Sequence, residues 1–249
     1  MAEMVDEKQT WFIPPGVNLA FSTRQQGVSL PPYDSLNLGA HVGDNPNHVV
    51  RNRQTIEQRL HLPVSPAWLE QTHSTKVVNA DNSQVHHADA SYCNNRSQVC
   101  VVMTADCLPV LLCDKNGTEV AAVHAGWRGL CDGIVEAAIS HFFHSPAELI
   151  AYLGPAIGPT AFEVGAEVKQ QFETENAEAE RFFIPAHDHV DSGKYFADLH
   201  GLAKLRLTQA GVKTIFADKR CTVTDAESFF SYRRDGVTGR MASFIWLNA

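Results

Sequence analysis

The sequence predicts an α+β fold: a single-domain mixed β-sheet sandwich with flanking helices. Three observations carry this expectation. The segments Val99 to Met103, Leu108 to Cys113 and Val120 to Val123 are short, apolar and rich in Val, as strands buried on both faces are. Helical patterns are present, yet they do not alternate regularly with the strands as a doubly wound sheet requires. No repeat, low-complexity run or linker divides the 249 residues, so one domain spanning 1–249 is expected.

The elements follow in order. A first strand is expected over Asn18 to Ser22. The Gly-, Pro-, Ser- and Asn-rich stretch from Gly27 to Asn47 is too long for an idle connection and is of the kind that lines a site. Asn45 and Pro46 supply an N-cap and an N1 proline for a helix running to about Leu60, with Val49, Val50, Ile56 and Leu60 as its apolar face. Beyond the three core strands, Gly126 and Gly129 give way to Leu130, Ile134, Ala137, Ala138 and Phe142, the spacing of one amphipathic helix. His124 to Gly129 is therefore a strand-to-helix turn. Leu149 to Leu153 reads as a strand, Gly154 to Pro159 as a rigid irregular turn, Gly165 to Phe172 as a helix, and the acidic Glu173 to Glu180 as a solvated face. A helix from Asp198 to Ala210 stops at Gly211, Val212 to Phe216 reads as a strand, and Ala242 to Leu247 as a last buried strand.

Charge and composition narrow the function. Twenty Lys and Arg stand against 28 Asp and Glu, a net charge of −8, which argues against a nucleic-acid backbone as partner but allows a local basic pocket for a small anion. Met1 to Lys8 has neither the positive nor the apolar region of a secretion signal, and no stretch approaches the roughly 18 apolar residues of a membrane span. A cytoplasmic protein without a membrane partner is expected, and a monomer, since no apolar stripe is left unexplained. Cys93, Cys100, Cys107, Cys113, Cys131 and Cys221 then read as reduced thiols, most of them plain buried residues.

Three of the chemically useful side chains fall where an apolar stretch gives way to a turn: His73 in Gln71-Thr72-His73-Ser74, Cys107 in Thr104-Ala105-Asp106-Cys107-Leu108-Pro109, and His124 in His124-Ala125-Gly126-Trp127-Arg128-Gly129. Two imidazoles and a thiolate would fill three tetrahedral positions of a zinc ion and leave the fourth open, the layout of a catalytic site. Their separations of 34 and 17 residues are wider than the close pairs of structural zinc sites, so the fold would have to gather them. A second reading needs no metal: His124 deprotonates Cys107, with Asp106 or another polar group orienting the imidazole, and the thiolate attacks. Copper is a third, since His₂Cys suits that ion, although a multicopper oxidase needs many more ligands and the chain offers one His-x-His, His187-Asp188-His189. The residues themselves leave these readings open. Arg128, just before a helix start, and the run Phe229 to Gly236, with Tyr232 and Arg233, suit an anion or a stacked base, while Arg24, Asn37 and Arg53 are polar candidates beside the long N-terminal loop.

Together the motifs resemble the YfiH family of laccase-domain proteins, also called multicopper polyphenol oxidase-like or peptidoglycan editing factor proteins. The resemblance rests on Ser22-Thr23-Arg24, Ser35-Leu36-Asn37-Leu38-Gly39, the three runs above, Gly154-Pro155-Ala156-Ile157-Gly158-Pro159, Phe162-Glu163-Val164-Gly165, and Tyr232-Arg233-Arg234 through Gly239-Arg240. It covers essentially the whole chain, with one departure: Arg24-Gln25-Gln26-Gly27-Val28-Ser29 stands where the family usually has Arg-x-Gly-Gly-Val-Ser. It implies a fold related to the catalytic domain of cytotoxic necrotizing factors. It also implies a metal, zinc with copper as the alternative, on His73, Cys107 and His124 as catalytic residues. The implied reaction is phosphorolysis of adenosine, inosine, guanosine and methylthioadenosine to free base and ribose 1-phosphate, with adenosine deamination beside it. Polyphenol oxidation, Cys-His hydrolysis and editing of cell-wall precursors are the alternatives. The expected partners are thus purine nucleosides and phosphate, met by Arg24, Asn37, Arg53, Gln71, Asp106, Arg128, Glu163, Tyr232 and Arg233. Arg24, Arg53 or Arg233 would hold the anion, and Asp106, Glu163 or a histidine behind the ligands would supply the proton to the leaving base.

Overall fold

Side-chain alternation on the central strands decides the architecture. In a computed structural model of the chain, which describes residues 11–186 and 193–248, successive residues of these strands point into two different apolar cores. The larger sheet has six strands in the order β13 (Thr214–Ala217), β9 (Leu149–Leu153), β7 (Leu108–Asp114), β8 (Val120–Ala125), β5 (Ala90–Cys93) and β3 (Val77–Asn79). Its outermost pairings, β13–β9 and β3–β5, are parallel and the rest are antiparallel. Leu111, Cys113, Val120, Ala122, Ile150 and Tyr152 leave one face of it and meet Leu19, Phe21, Val102, Ile245 and Leu247 of a second sheet. That sheet is antiparallel, ordered β1 (Val17–Phe21), β14 (Met241–Leu247), β6 (Val99–Thr104).

Helices cover both outer faces. Val110, Leu112, Val123 and Leu153 on the far side of the larger sheet pack on α2 (Trp127–Asp132), α3 (Ile134–Ile139), α4 (Ala166–Glu175) and α5 (Leu199–Gln209). Val101, Met103, Phe244 and Trp246 on the far side of the smaller sheet meet Ile56 and Leu60 of α1 (Pro46–Leu60). The α+β sandwich with flanking helices is thus a four-layer stack, helix, sheet, sheet, helix. Two further pairings trim its edges: β2 (Leu69–Glu70) with β4 (His86–His87), and the small sheet β10 (Glu163–Gly165), β12 (Lys194–Ala197), β11 (Phe183–Pro185). A single turn, α6 (Tyr232–Asp235), precedes β14.

Two helical expectations are corrected. The apolar run after His124 forms two short helices, because Gly133 adopts φ +98, a left-handed conformation that ends α2 and starts α3. Leu130, Ile134 and Ala138 still reach the same core, which is why the periodicity looked continuous. On α1, capped as expected by Asn45, Val50 is exposed and the buried inward position belongs to Asn52. Asn52 donates to Ser29 Oγ, Ser35 O and Asn37 O and accepts the N–H of Val28, fastening the long Gly27–Asn47 loop to the fold. All six cysteines are unpaired. No helix of the described residues is long and apolar enough to cross a membrane. His187-Asp188-His189 lies outside the described residues.

Candidate active site

Asp89, the residue before β5, organises the site. Fully buried, it accepts the backbone N–H groups of Thr72 (3.2 Å), His73 (2.9 Å) and Ser74 (2.6 Å) and the Ser74 hydroxyl (2.7 Å), which shapes the turn after β2 and holds His73 at φ +61. Its Oδ1 also lies 2.8 Å from His124 Nδ1. Burial works to raise the pKa of this carboxyl, but the hydrogen bonds from His124 and Ser74 outweigh it and hold the group well below the usual carboxylate range. Asp89 therefore stays ionised and takes the His124 Nδ1–H, which orients the ring and leaves Nε2 on the side of the cluster.

Cys107 arrives from another direction. Ala105, Asp106 and Cys107 form the crossover from β6 in the smaller sheet to β7 in the larger, with Asp106 at φ +93. The Asp106 carboxylate anchors this crossover, accepting Thr222 Oγ1 at 2.6 Å and the backbone N–H of Arg233 at 2.7 Å. His124 is the penultimate residue of β8, paired with Pro109 beside the crossover. Gly126 leaves room for the cluster, since a Cβ there would stand 2.7 Å from His73 Cδ2 and 3.2 Å from Cys107 Sγ.

The three side chains that the sequence singled out converge. Their ligand atoms lie within 4.8 Å of one another, His73 Nε2 is 3.8 Å from Cys107 Sγ, and the two imidazole rings meet edge to face at 4.8 Å. Tetrahedral zinc with Zn–S of about 2.3 Å and Zn–N of about 2.0 Å separates sulfur from nitrogen by about 3.5 Å, so the donors fit one such ion. Burial alone would raise the Cys107 pKa, yet His124 and then His73 outweigh it and bring the thiol down to about 6. His124 is correspondingly raised to about 9, with burial opposed by the Cys107 thiolate and by Asp89. Cys107 is thus already in the ionised form that a metal, or a nucleophilic mechanism, requires.

The triad opens onto a cavity of about 390 Å³, lined also by His41, Gln71, Met103, Thr104, Ala105, Tyr232 and Arg240. Such a volume suits a small molecule. Among the described residues no other group of three such donors is assembled as a metal site.

The fold recurs in known proteins. Residues 18–248 match the family model described as multi-copper polyphenol oxidoreductase laccase. The chain is 56% identical over 239 residues to the purine nucleoside phosphorylase YfiH of Escherichia coli K12, covering 95% of this chain and 96% of that one. The chain belongs to the YfiH family. A purine nucleoside phosphorylase of Haemophilus influenzae is 49% identical over 237 residues, again 95% of this chain and 96% of that one. Among solved structures, a Neisseria meningitidis protein superposes with a TM-score of 0.91 at 50% identity, covering 96% of this chain and 97% of its own. YlmD of Geobacillus stearothermophilus does so at 0.82 and 30%, covering 94% and 93%.

Within this YfiH-family chain the nine expected substrate contacts divide. Tyr232 and Gln71 line the cavity, although the Gln71 amide is closed onto the N–H and C=O of Met103, both at 2.7 Å. The Arg53 guanidinium lies behind the wall, donating to Leu38 O and stacking 3.8 Å over Trp68, and burial lowers its pKa to about 10. Asn37, fully buried, holds the backbone N–H groups of Gly39 and Arg240 on its Oδ1. The structure gathers neither Arg24 nor Arg233 into the cavity. Arg24 binds Asp34 and Ala226 O beside a separate cleft, and Arg233 donates to Ala161 O and Glu163 O. Arg128 stacks on Trp127, and the Glu163 side chain lies 3.9 Å from Lys194, both away from the cavity lining. Sequence reasoning missed Asp89, His41 and Arg240 as site residues. His41 belongs to the long loop expected to line a site, and Arg240 closes the last family motif, so both carried a signal; Asp89 carried none.

Proposed function

We propose that the chain is a purine nucleoside phosphorylase that cleaves adenosine, inosine, guanosine and methylthioadenosine with inorganic phosphate, and that deaminates adenosine at the same site. One observation carries the reading: 56% identity across 95% of the chain to a protein of that name, with the His73, Cys107 and His124 donors facing a cavity of nucleoside size. The three residues are proposed to hold zinc, with copper as the alternative, through His73 Nε2, Cys107 Sγ and His124 Nε2. Held there, the ion would supply Lewis acidity toward an electronegative atom of the substrate.

The chain's own residues do the rest. In phosphorolysis a phosphate oxygen forms a bond to the anomeric carbon while the glycosidic bond breaks, its electron pair leaving with the purine. The cavity must therefore orient two reactants and exclude water. Tyr232, 62% exposed at the mouth, offers a ring for the purine to stack on. Asp89 keeps His124 fixed, so the site pays no reorganisation when substrate enters. The Asp106 carboxylate is committed to Thr222 and Arg233, which favours an anchoring role over a proton-donating one.

The test is direct. Purified protein, stripped of metal and then given zinc, should release adenine and ribose 1-phosphate from adenosine and phosphate, and inosine from adenosine alone. No base after zinc is restored would end the phosphorylase reading, and no inosine would end the deaminase reading. A second reading is favoured by the Asp89–His124–Cys107 alignment, which places an ionised thiol beside an oriented imidazole, as a cysteine hydrolase does. It wins if His73→Ala removes the metal without loss of turnover while Cys107→Ala and His124→Ala are both inactive.

A further inference from the structure

The cavity wall carries a cation that was not among the expected arginines. Arg240 lines the cavity together with Cys107 and His124, and its guanidinium satisfies only one nitrogen internally: Nη1 donates to Thr238 O at 3.1 Å and Gly239 O at 3.0 Å. Its Nε and Nη2 have no hydrogen-bond partner, and no carboxylate lies within ion-pair distance, among the described residues. The negative groups that act on it are the Cys107 thiolate of the triad and then Asp106, whose carboxylate is turned to Thr222 and Arg233. Arg240 is also built in place. Its backbone N–H is held by the buried Asn37, and its Cγ would be 2.8 Å from a Cβ at Gly39, so the long loop is moulded around its stem.

His41 of that loop shares the same wall, and its ring has no hydrogen-bond partner among the described residues. Burial lowers its pKa first, and then the positive charges of Arg240 and Arg53 do, against a smaller opposing effect of Glu70. Two guanidinium groups, of Arg240 and Arg53, thus act on this corner of the cavity. A guanidinium with two unspent nitrogens, half-buried and without a carboxylate partner, is suited to a tetrahedral oxyanion. No acidic side chain lines the cavity to compete for it.

We propose that Arg240, with a hydrogen bond from His41, is the seat of the phosphate co-substrate. This rests on the phosphorylase reading for its role in turnover, but the anion seat itself does not. In phosphorolysis the seated phosphate would stand beside the triad and present an oxygen to the anomeric carbon, while Arg240 neutralises the dianion until the new C–O bond forms. The Arg24, Arg53 and Arg233 side chains would support the fold around it.

The experiment uses the zinc-loaded protein and inorganic phosphate. Arg240→Gln should raise the phosphate KM by about 10- to 100-fold, the effect of losing a charge-assisted pair, with the nucleoside KM changed less than about threefold. Arg240→Lys should recover part of the loss, and His41→Ala should cost a smaller factor on phosphate alone. Calorimetric titration of phosphate into the same proteins, without nucleoside, should show the same order of affinities. Equal phosphate affinity and KM in wild type and Arg240→Gln would overturn the assignment, even if phosphorolysis is confirmed. If wild type binds phosphate through Arg240 yet cleaves no nucleoside, the phosphorylase reading falls and the anion seat stands. Should Arg240→Gln fail to fold, Arg240→Lys and His41→Ala decide by the same two measurements, and unchanged phosphate affinity in both would overturn the seat.

Discussion

Two residues outside the cavity lining set the geometry of the donors that face it. Asp89 joins the turn carrying His73 to the strand carrying His124, through three backbone N–H groups, two hydroxyls and one imidazole. Asp89→Asn keeps the shape but turns an NH₂ toward these donors and removes the charge behind His124. Zinc affinity should fall by about 10- to 100-fold, read by competition with a chromogenic chelator, because a carboxylate behind a metal-binding histidine sets its tautomer and basicity. An unchanged zinc affinity would show that Asp89 serves the turn alone. Gly126 acts by its lack of volume. Its φ of −62 is open to any residue, but an added methyl would strike His73 Cδ2 at 2.7 Å. Gly126→Ala should therefore cost up to about 100-fold in turnover through a displaced ring, while the thermal midpoint barely moves. A large loss of stability with normal turnover per folded molecule would contradict that. Asp89 was invisible in the sequence, one of 28 acidic residues with no motif around it, because its role exists only once two distant segments have met.

Elements whose rules are local were legible, and those decided by tertiary contact were not. The start of α1 could be read from Asn45 and Pro46, since capping chemistry acts within a few residues. The division of α2 from α3 depended on the backbone sign at Gly133, and the two-residue strands β2 and β4 depend on each other. The three donors stood out at the ends of apolar runs, and the family motifs around them, not periodicity, pointed to a metal there. One connection outside the site holds elements together by charge. Glu119 in the turn before β8 accepts the hydroxyl of Tyr92, the N–H groups of Phe143 (2.8 Å) and His144 (3.2 Å) and the His144 ring, tying the end of the α3 segment to the larger sheet. Burial would raise the Glu119 pKa, but Tyr92 and His144 lower it; His144 is raised, chiefly by Glu119. A depressed acid stabilises the fold above its unfolded pKa and loses this as pH falls through the folded value. A raised base stabilises below its unfolded pKa and loses this as pH rises through the folded value. Both contribute fully between about pH 4.5 and 6.5. Glu119→Gln should lower the thermal midpoint most in that window and flatten its fall toward acid. An equal loss at every pH from 3 to 9 would show that Glu119 acts through packing instead.

The whole molecule ties its chemistry to its folding. His73 follows an edge strand, Cys107 lies in the crossover between the two sheets, and His124 ends a central strand, so the donors share a site only when both sheets are packed together. The unfolded chain holds these donors 34 and 17 residues apart and cannot present them jointly. An ion bound by all three therefore favours the folded state by mass action, about 2.7 kcal/mol at a free concentration 100 times its Kd. For a domain of this size each kcal/mol moves the midpoint by about 2–4 °C, so zinc should raise Tm by roughly 5–11 °C over chelated protein. The increment should grow with the logarithm of free zinc, as linkage demands and as a fixed structural contribution would not. His73→Ala should abolish most of it while leaving the metal-free Tm nearly unchanged, because His73 is exposed and contributes little to either core. A zinc-dependent rise that survives loss of His73 would place the ion elsewhere, and with it the chemistry assigned to the cavity.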